Sequence, residues 1–231
     1  MHKKTNVVIL ILLILLLDQV LKIYIKTHFE LNTSKHVFGN WFQLFFVENP
    51  GMAYGMKFGG SFGKMILTVF RLVAVIIGVF YIRHIINKKQ HQGFIVCASL
   101  IFAGALGNLI DSCFYGIIFN KGMVYNPQFN DYFGYGGLAV FTQGQGYSSF
   151  LHGNVVDMLY FPILKGHFPD WMPVWGGEEF EFFRPVFNLA DAAISSGVIA
   201  LILFNKKFQQ NQNTIPEPTQ SDEAITETST I

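Results

Sequence analysis

Four long apolar stretches alternate with polar ones along the chain. The first begins at Val7 and is unbroken to Leu17. It continues as a helix through Asp18-Gln19-Val20-Leu21-Lys22-Ile23-Tyr24-Ile25, with Asp18 and Lys22 one turn apart at ion-pair spacing. No small-residue cleavage site follows the basic start Lys3-Lys4, so residues 5–26 read as a retained membrane helix rather than a removed leader. Lys64 to Tyr81 predicts a second membrane helix interrupted by Arg71, and Phe94 to Gly116 a third. On the third, Asn108, Asp111, Ser112 and Tyr115 share a helical face. The fourth starts near Pro185, which a first helical turn tolerates, and carries Asn188 and Asp191 one turn apart.

Between these stretches lie two long polar-and-aromatic connections, 27–63 and 117–183. In the first, Trp41 to Val47 is aromatic and β-branched and predicts a short strand, followed by the turn signal Asn49-Pro50-Gly51. A connection as long as the second is usually functional or disordered, and its many aromatics argue for order at the membrane surface. Trp171, Trp175 and Phe180–Phe183 suit interfacial anchors. His152 and His167 receive no role. The last residues, 207–231, are rich in Gln, Asn, Thr and Glu and predict a disordered tail behind a membrane domain of residues 1–206.

Composition agrees with a membrane class: 51% of residues are hydrophobic and only 13% charged, about half the charge of a soluble domain. A net charge of +1 offers nothing to nucleic acid. Cys97 and Cys113, on one helix, stand about 24 Å apart and cannot pair. No metal-ligand pattern is visible. Lys3-Lys4, the basic linker Arg83–Gln92 and Lys206-Lys207 fall on one side of four crossings. The positive-inside rule places that side, with both termini, in the cytoplasm and both long connections outside.

Depth adds chemistry. With outer helix ends near residues 26, 64, 117 and 185, Asp18, Arg71, Asp111 and Asp191 all lie roughly 9–12 Å below the outer boundary. One ionisable residue per helix in one layer points to a common polar site. Several carboxylates without an activated Ser or Cys suit two acids that share a proton and activate water. A proton-coupled carrier using Asp18, Asp111 and Asp191 is the competing use, although four helices without an inverted repeat suit it poorly.

The motifs resemble those of the lipoprotein signal peptidase (signal peptidase II) family of membrane aspartyl proteases. Asp18-Gln19-Val20-Leu21-Lys22 is similar to its D-Q-x-x-K motif, and Asn49-Pro50-Gly51-Met52-Ala53-Tyr54 to its N-x-G-x-A-F with Tyr for Phe. Gly107-Asn108-Leu109-Ile110-Asp111 is similar to G-N-x-x-D-R, Val155-Val156-Asp157 to V-x-D-F, and Phe187-Asn188-Leu189-Ala190-Asp191 to F-N-x-A-D. The resemblance implies a four-helix fold with a small extracytoplasmic β-containing cradle and a surface helix. It implies an endopeptidase of the cytoplasmic membrane, without cofactor, that cleaves diacylglyceryl-modified prolipoproteins before the lipidated cysteine. Asp157 and Asp191 would be the catalytic dyad. Asn49, Gly51, Asn108, Asp111 and Asn188 would hold substrate or support the dyad, with Asp18 and Lys22 serving structure or lipid contact. Two departures stand out. The family's Arg after Asp111 is Ser112 here, a loss that Arg71 is expected to offset and that keeps a non-cleaving precursor-binding protein open as a third reading. The connections on either side of Asp157 are also longer than the family's, and they include Asp131 and Asp170 outside any such motif.

Overall fold

In the computed structural model, which describes residues 2–51, 60–182 and 185–210, the four apolar stretches are helices. They are α1 (His2–His28), α2 (Gly60–Asn87), α3 (Gln92–Ile110) and α4 (Leu189–Gln210). The third continues through a π-helical turn, Asp111–Tyr115, and a last turn, Gly116–Ile118. Each of the four is long and apolar enough to cross a membrane. The lipid-directed sides of α1, α2 and α4 carry exposed Leu16, Phe70 and Ile202, as expected where lipid rather than protein covers the surface.

Helix α3 is central and packs against the other three. Half of its apolar window is buried, against 17% for each of the others. Small residues make this possible. A Cβ on Gly104 would lie 2.2 Å from the Ala190 carbonyl oxygen, and one on Gly197 2.8 Å from that of Cys97, so α3 and α4 meet backbone to backbone. A Cβ on Gly107 would lie 2.8 Å from Asp18 Oδ2.

Among the described residues, the segments between the helices carry eight strands, of which only part of β2 was expected at its place. A four-stranded antiparallel sheet has the order β1 (Ser34–Phe38), β2 (Phe42–Asn49), β5 (Val155–Tyr160), β8 (Val186–Phe187). Two hairpins stand beside it: β3 (Val124–Asn126) with β4 (Asp131–Phe133), and β6 (Leu164–His167) with β7 (Glu179–Phe182). Beneath the sheet, Phe46, Val156 and Met158 join Ile25, Phe29, Tyr115, Phe119 and Ala139 in a buried cluster that seats the sheet on the strand-side ends of α1 and α3. Among the described residues of the connections, helix is confined to the last turn of α3, so the surface helix implied by resemblance is not found there.

Two boundaries differ from expectation. Pro185 precedes β8 rather than opening α4, because residues 186–187 pair with β5 before the helix begins at Leu189. The last helix runs past residue 206 to Gln210, and the rest of the expected tail, 211–231, lies outside the described residues. Met52, Ala53 and Tyr54 of the second motif also lie outside them.

Candidate functional site

The fourth helix begins inside the layer of acids rather than above it. Asn188 is its N-cap: its Oδ1 accepts from the Asp191 N–H at 2.8 Å, while Asp191 Oδ2 accepts from the Asn188 N–H at 3.4 Å. This reciprocal pair is a capping box, which satisfies two backbone donors otherwise orphaned at a helix start. Asp18 Oδ1, reaching across from α1, accepts the Ala190 N–H at 2.9 Å. Asp191 therefore sits in the first turn of α4, about 3 Å along the axis from its start, where the helix dipole favours a negative charge. The expected common depth is corrected to this extent: Asp191 belongs to the layer because its helix starts there.

Asp157 arrives from the sheet. Strand alternation sends Val156 and Met158 into the cluster beneath and turns Asp157 to the opposite face. Asn188 Nδ2 donates to Asp157 Oδ1 at 2.7 Å and to Asn108 Oδ1 at 3.1 Å. Asn108 Nδ2 donates in turn to Asp191 Oδ1 at 2.7 Å. One asparagine pair thus joins a strand carboxyl and a helix carboxylate that lie 34 positions apart (191 − 157). Asp157 is buried, whereas Asp191 is half-buried. Burial first, and then the neighbouring Asp191, push the Asp157 carboxyl up to about 8. Lys22 and the Asn188 hydrogen bond oppose that rise, and Asp111 adds to it. Asp157 accordingly holds a proton at neutral pH.

Lys22, fully buried, lies 2.9 Å from Asp18, 2.8 Å from Asp111 and 2.9 Å from Asn108 Oδ1. Asp111 accepts from Gln19 Nε2 at 2.9 Å and from the Val156 N–H at 3.3 Å, and Tyr115 OH donates to Gln19 Oε1 at 3.1 Å. Asp18 and Asp111 are therefore sealed in; Asp18 holds the backbone N–H next to Asp191, and Asp111 the one next to Asp157. The expected intrahelical Asp18–Lys22 pair is present, but Lys22 also supplies the charge facing Asp111. Arg71 donates to Ser112 Oγ at 3.0 Å, so its guanidinium stands beside the residue that follows Asp111. It remains within Coulombic reach of Asp191, Asp111 and Asp157. Asn49 Oδ1 accepts the Gly51 N–H at 2.8 Å, and Gly51, at φ 103°, takes a conformation that suits glycine. Both thus shape the turn after β2. Asp131 lies in β4 and Asp170 at the tip of the β6–β7 hairpin, outside the Asn188 network.

A second buried polar centre was not anticipated. Glu48 on β2 is paired with Lys26 and accepts from Tyr135 OH at 2.7 Å, the Met123 N–H at 2.8 Å and Asn154 Nδ2 at 2.6 Å. Lys64 donates to Asn154 Oδ1. The Lys26 ammonium lies over the Phe119, Tyr135 and Tyr147 rings and the Lys64 ammonium over Tyr132. The only signal in the sequence was charge and tyrosine at helix ends beside a long loop, which is too common to select these residues. Gln19 lay within a quoted motif and could have been found there. Among the described residues no three of His, Cys, Asp and Glu gather as a metal-holding group.

The family model described as signal peptidase (SPase) II matches residues 10–206. The chain belongs to the signal peptidase II family. It is 44% identical over 219 residues to a protein named lipoprotein signal peptidase from Porphyromonas gingivalis (strain ATCC 33277), covering 92% of this chain and 90% of that one. A protein of the same name from Amoebophilus asiaticus is 36% identical, with 92% and 80% covered. A solved bacterial membrane enzyme, determined by the in meso method at 2.3 Å resolution, superposes with a TM-score of 0.55 at 21% identity, covering 93% of this chain and 95% of that one. That likeness supports the fold. The carrier reading finds no support in these relatives, and two of its three acids are sealed by Lys22.

Proposed function

We propose that this signal peptidase II family member is an aspartyl endopeptidase. It removes the signal peptide from diacylglyceryl-modified prolipoproteins by cleaving before the lipidated cysteine, at the extracytoplasmic face of the bacterial cytoplasmic membrane. Residues 1–206 form the peptidase unit, with both termini cytoplasmic and the sheet as an outer cradle. The observation that carries the reading is the link Asp157–Asn188–Asn108–Asp191. It sets a proton-holding acid beside an acid at a helix start. In the reaction, Asp191 takes a proton from water as the water oxygen attacks the scissile carbonyl carbon. Asp157 gives its proton to the carbonyl oxygen. As the tetrahedral adduct collapses, the C–N bond breaks, the cysteine amine leaves with the proton that Asp191 had taken, and Asp157 recovers its proton from one hydroxyl of the adduct to leave the carboxylic acid. Asn188 and Asn108 hold the pair in register, while Asn49 and Gly51 shape the turn that bounds the substrate. Arg71 offsets the missing arginine at Ser112 by placing a cation near the three acids.

A gel assay with the membrane-reconstituted protein and a diacylglyceryl-modified precursor tests this reading, run beside Asp157→Asn and Asp191→Asn. Cleavage before the lipidated cysteine, absent in both variants, is expected. Cleavage surviving Asp157→Asn would move the second acid elsewhere. Precursor binding without any cleavage by the folded, unmutated protein would favour the non-cleaving reading.

A further inference from the structure

The proposed dyad makes no use of the Glu48 centre, yet that centre grips the chain where it enters the strand bearing Asp157. Asn154 is the residue before β5, and it is fully buried. Its N–H donates to Tyr147 OH at 2.7 Å, its Nδ2 donates to Glu48 Oε2 and to the Met123 carbonyl at 3.0 Å, and its Oδ1 accepts from Lys64. Glu48 lies opposite Val156 in the β2–β5 register, and Val47 lies opposite Asp157. The neighbouring Gly153 N–H is held by the Ser112 carbonyl at 2.9 Å. A Cβ on Gly153 would come within 2.1 Å of the Asp111 carbonyl oxygen. The entry to β5 is therefore clamped on one side by the Asp111 network and on the other by Glu48, Lys26 and Lys64. Tyr135, Tyr147 and Met123, from the long connection, complete the second clamp.

We propose that Glu48 and Asn154, backed by Lys26 and Lys64, are positioning residues for the peptidase reaction: they set the height of β5 at which Asp157 meets Asn188 and Asp191. The long segment 119–154 is thus part of the reaction centre's support rather than an accessory surface. Asp157 lies three residues from Asn154, about 10 Å along the strand. The 2.7 Å Asn188–Asp157 bond survives only shifts of a few tenths of an ångström, and reactive constellations require placement within about 0.5 Å. Neither Glu48 nor Asn154 touches the reacting atoms. This inference rests on Asp157 being a member of the dyad.

The test measures kcat and KM across pH for the full-length reconstituted protein with a diacylglyceryl-modified precursor peptide. The charged groups facing Asp157 are Asp191 from α4, Lys22 from α1 and Asp111 from α3, with Arg71 from α2 in Coulombic reach. All of them remain in the variants. Asn154→Ala should lower kcat by about 10²-fold with KM nearly unchanged, and should move the alkaline limb to lower pH as Asp157 separates from Asp191. Lys64→Met removes the donor to Asn154 Oδ1 without altering the strand; it should do the same to a lesser degree, and it decides the matter if Asn154→Ala does not fold. Ser99→Ala deletes a buried hydrogen bond to the Ile95 carbonyl within α3, outside both polar centres. It should act on thermal stability while leaving kcat and the pH limb in place. The proposal is overturned if folded Asn154→Ala, or Lys64→Met in its stead, keeps the parent kcat and pH limb. It is equally overturned if Ser99→Ala shifts the limb as far as they do. Asp157→Asn is assayed alongside. Full activity there would defeat the dyad assignment and this inference together, whereas an inactive Asp157→Asn beside a normal Asn154→Ala defeats the inference alone.

Discussion

Two buried polar centres in this protein are built from the same parts and behave differently. Around Asn188, a lysine, four carboxyl groups and two asparagines are joined, and Asp191 remains half-buried. Around Asn154, two lysines, one carboxylate and one asparagine are joined, and Glu48 spends both oxygens on four donors. The first has more acid than base and a carboxyl held neutral. The second has more base than acid, and aromatic faces lie beneath both ammonium groups. A satisfied and sealed network rigidifies; one whose carboxylate stays partly exposed, as Asp191 does, can meet a substrate. Charge balance and exposure, not residue type, separate support from chemistry.

The sharpest way to break this contrast is at the acids. Asp157→Asn and Asp191→Asn should each reduce cleavage by about 10²–10⁴-fold with little change in thermal unfolding, whereas Glu48→Gln should reduce stability as well as rate. Retained cleavage in either aspartate variant, read on the same gels, would dissolve the distinction.

The lysines come next. Lys22→Met strands two buried carboxylates, and Lys26→Met one. Removing one partner of a buried pair costs about 3–5 kcal/mol. Both variants should therefore melt earlier in thermal unfolding, and Lys22→Met should be the worse. Equal losses would mean that the two centres carry the same load.

Titration sharpens the contrast further. Asp157, raised to about 8, is protonated below that pH. Activity should fall as pH rises through about 8 and the shared proton leaves. The sign for stability is the same: the contribution of the neutral carboxyl is full below the unfolded value, about 4, and is lost as pH rises through the folded one. A pH–rate profile flat between 7 and 9 would contradict it.

Arg71→Leu carries the smallest effect, about tenfold in kcat at constant KM. Activity equal to the parent's would remove Arg71 from the charge balance around Asp111.

Much of this was legible in the pattern of residues, and the limits have physical causes. The four helices were visible because a bilayer demands long apolar stretches. The gathering of Asp18, Asp111 and Asp191 followed from depth, since ions in a membrane seek one another. The start of α4 was misplaced by reading Pro185 as a first-turn proline, although Asn188 and Asp191, three apart before an apolar run, already spelled a capping box. The strands were mostly hidden because they are short, and the one pairing that joins the two connections spans more than a hundred positions, as Glu48 with Val156; no local period records such a partner. The Lys26–Glu48–Lys64 centre was hidden for the same reason, each charge alone looking like an ordinary solvated helix end.

The π-helical turn at Asp111–Tyr115 has a consequence of its own. A π turn houses one residue more than the α-helix around it, and each residue of an α-helix advances the face by about 100°. The turn therefore works as a phase shifter. Upstream of it Asn108 is aligned with α1 and α4, and within it Ser112 turns toward Arg71 on α2, while Tyr115 still returns to Gln19 on α1. Deleting a single residue there would leave the length and polarity of α3 almost untouched, yet it would rotate everything beyond, including the anchor of Gly153, away from its partners. In this helix the count of residues carries as much information as their identity.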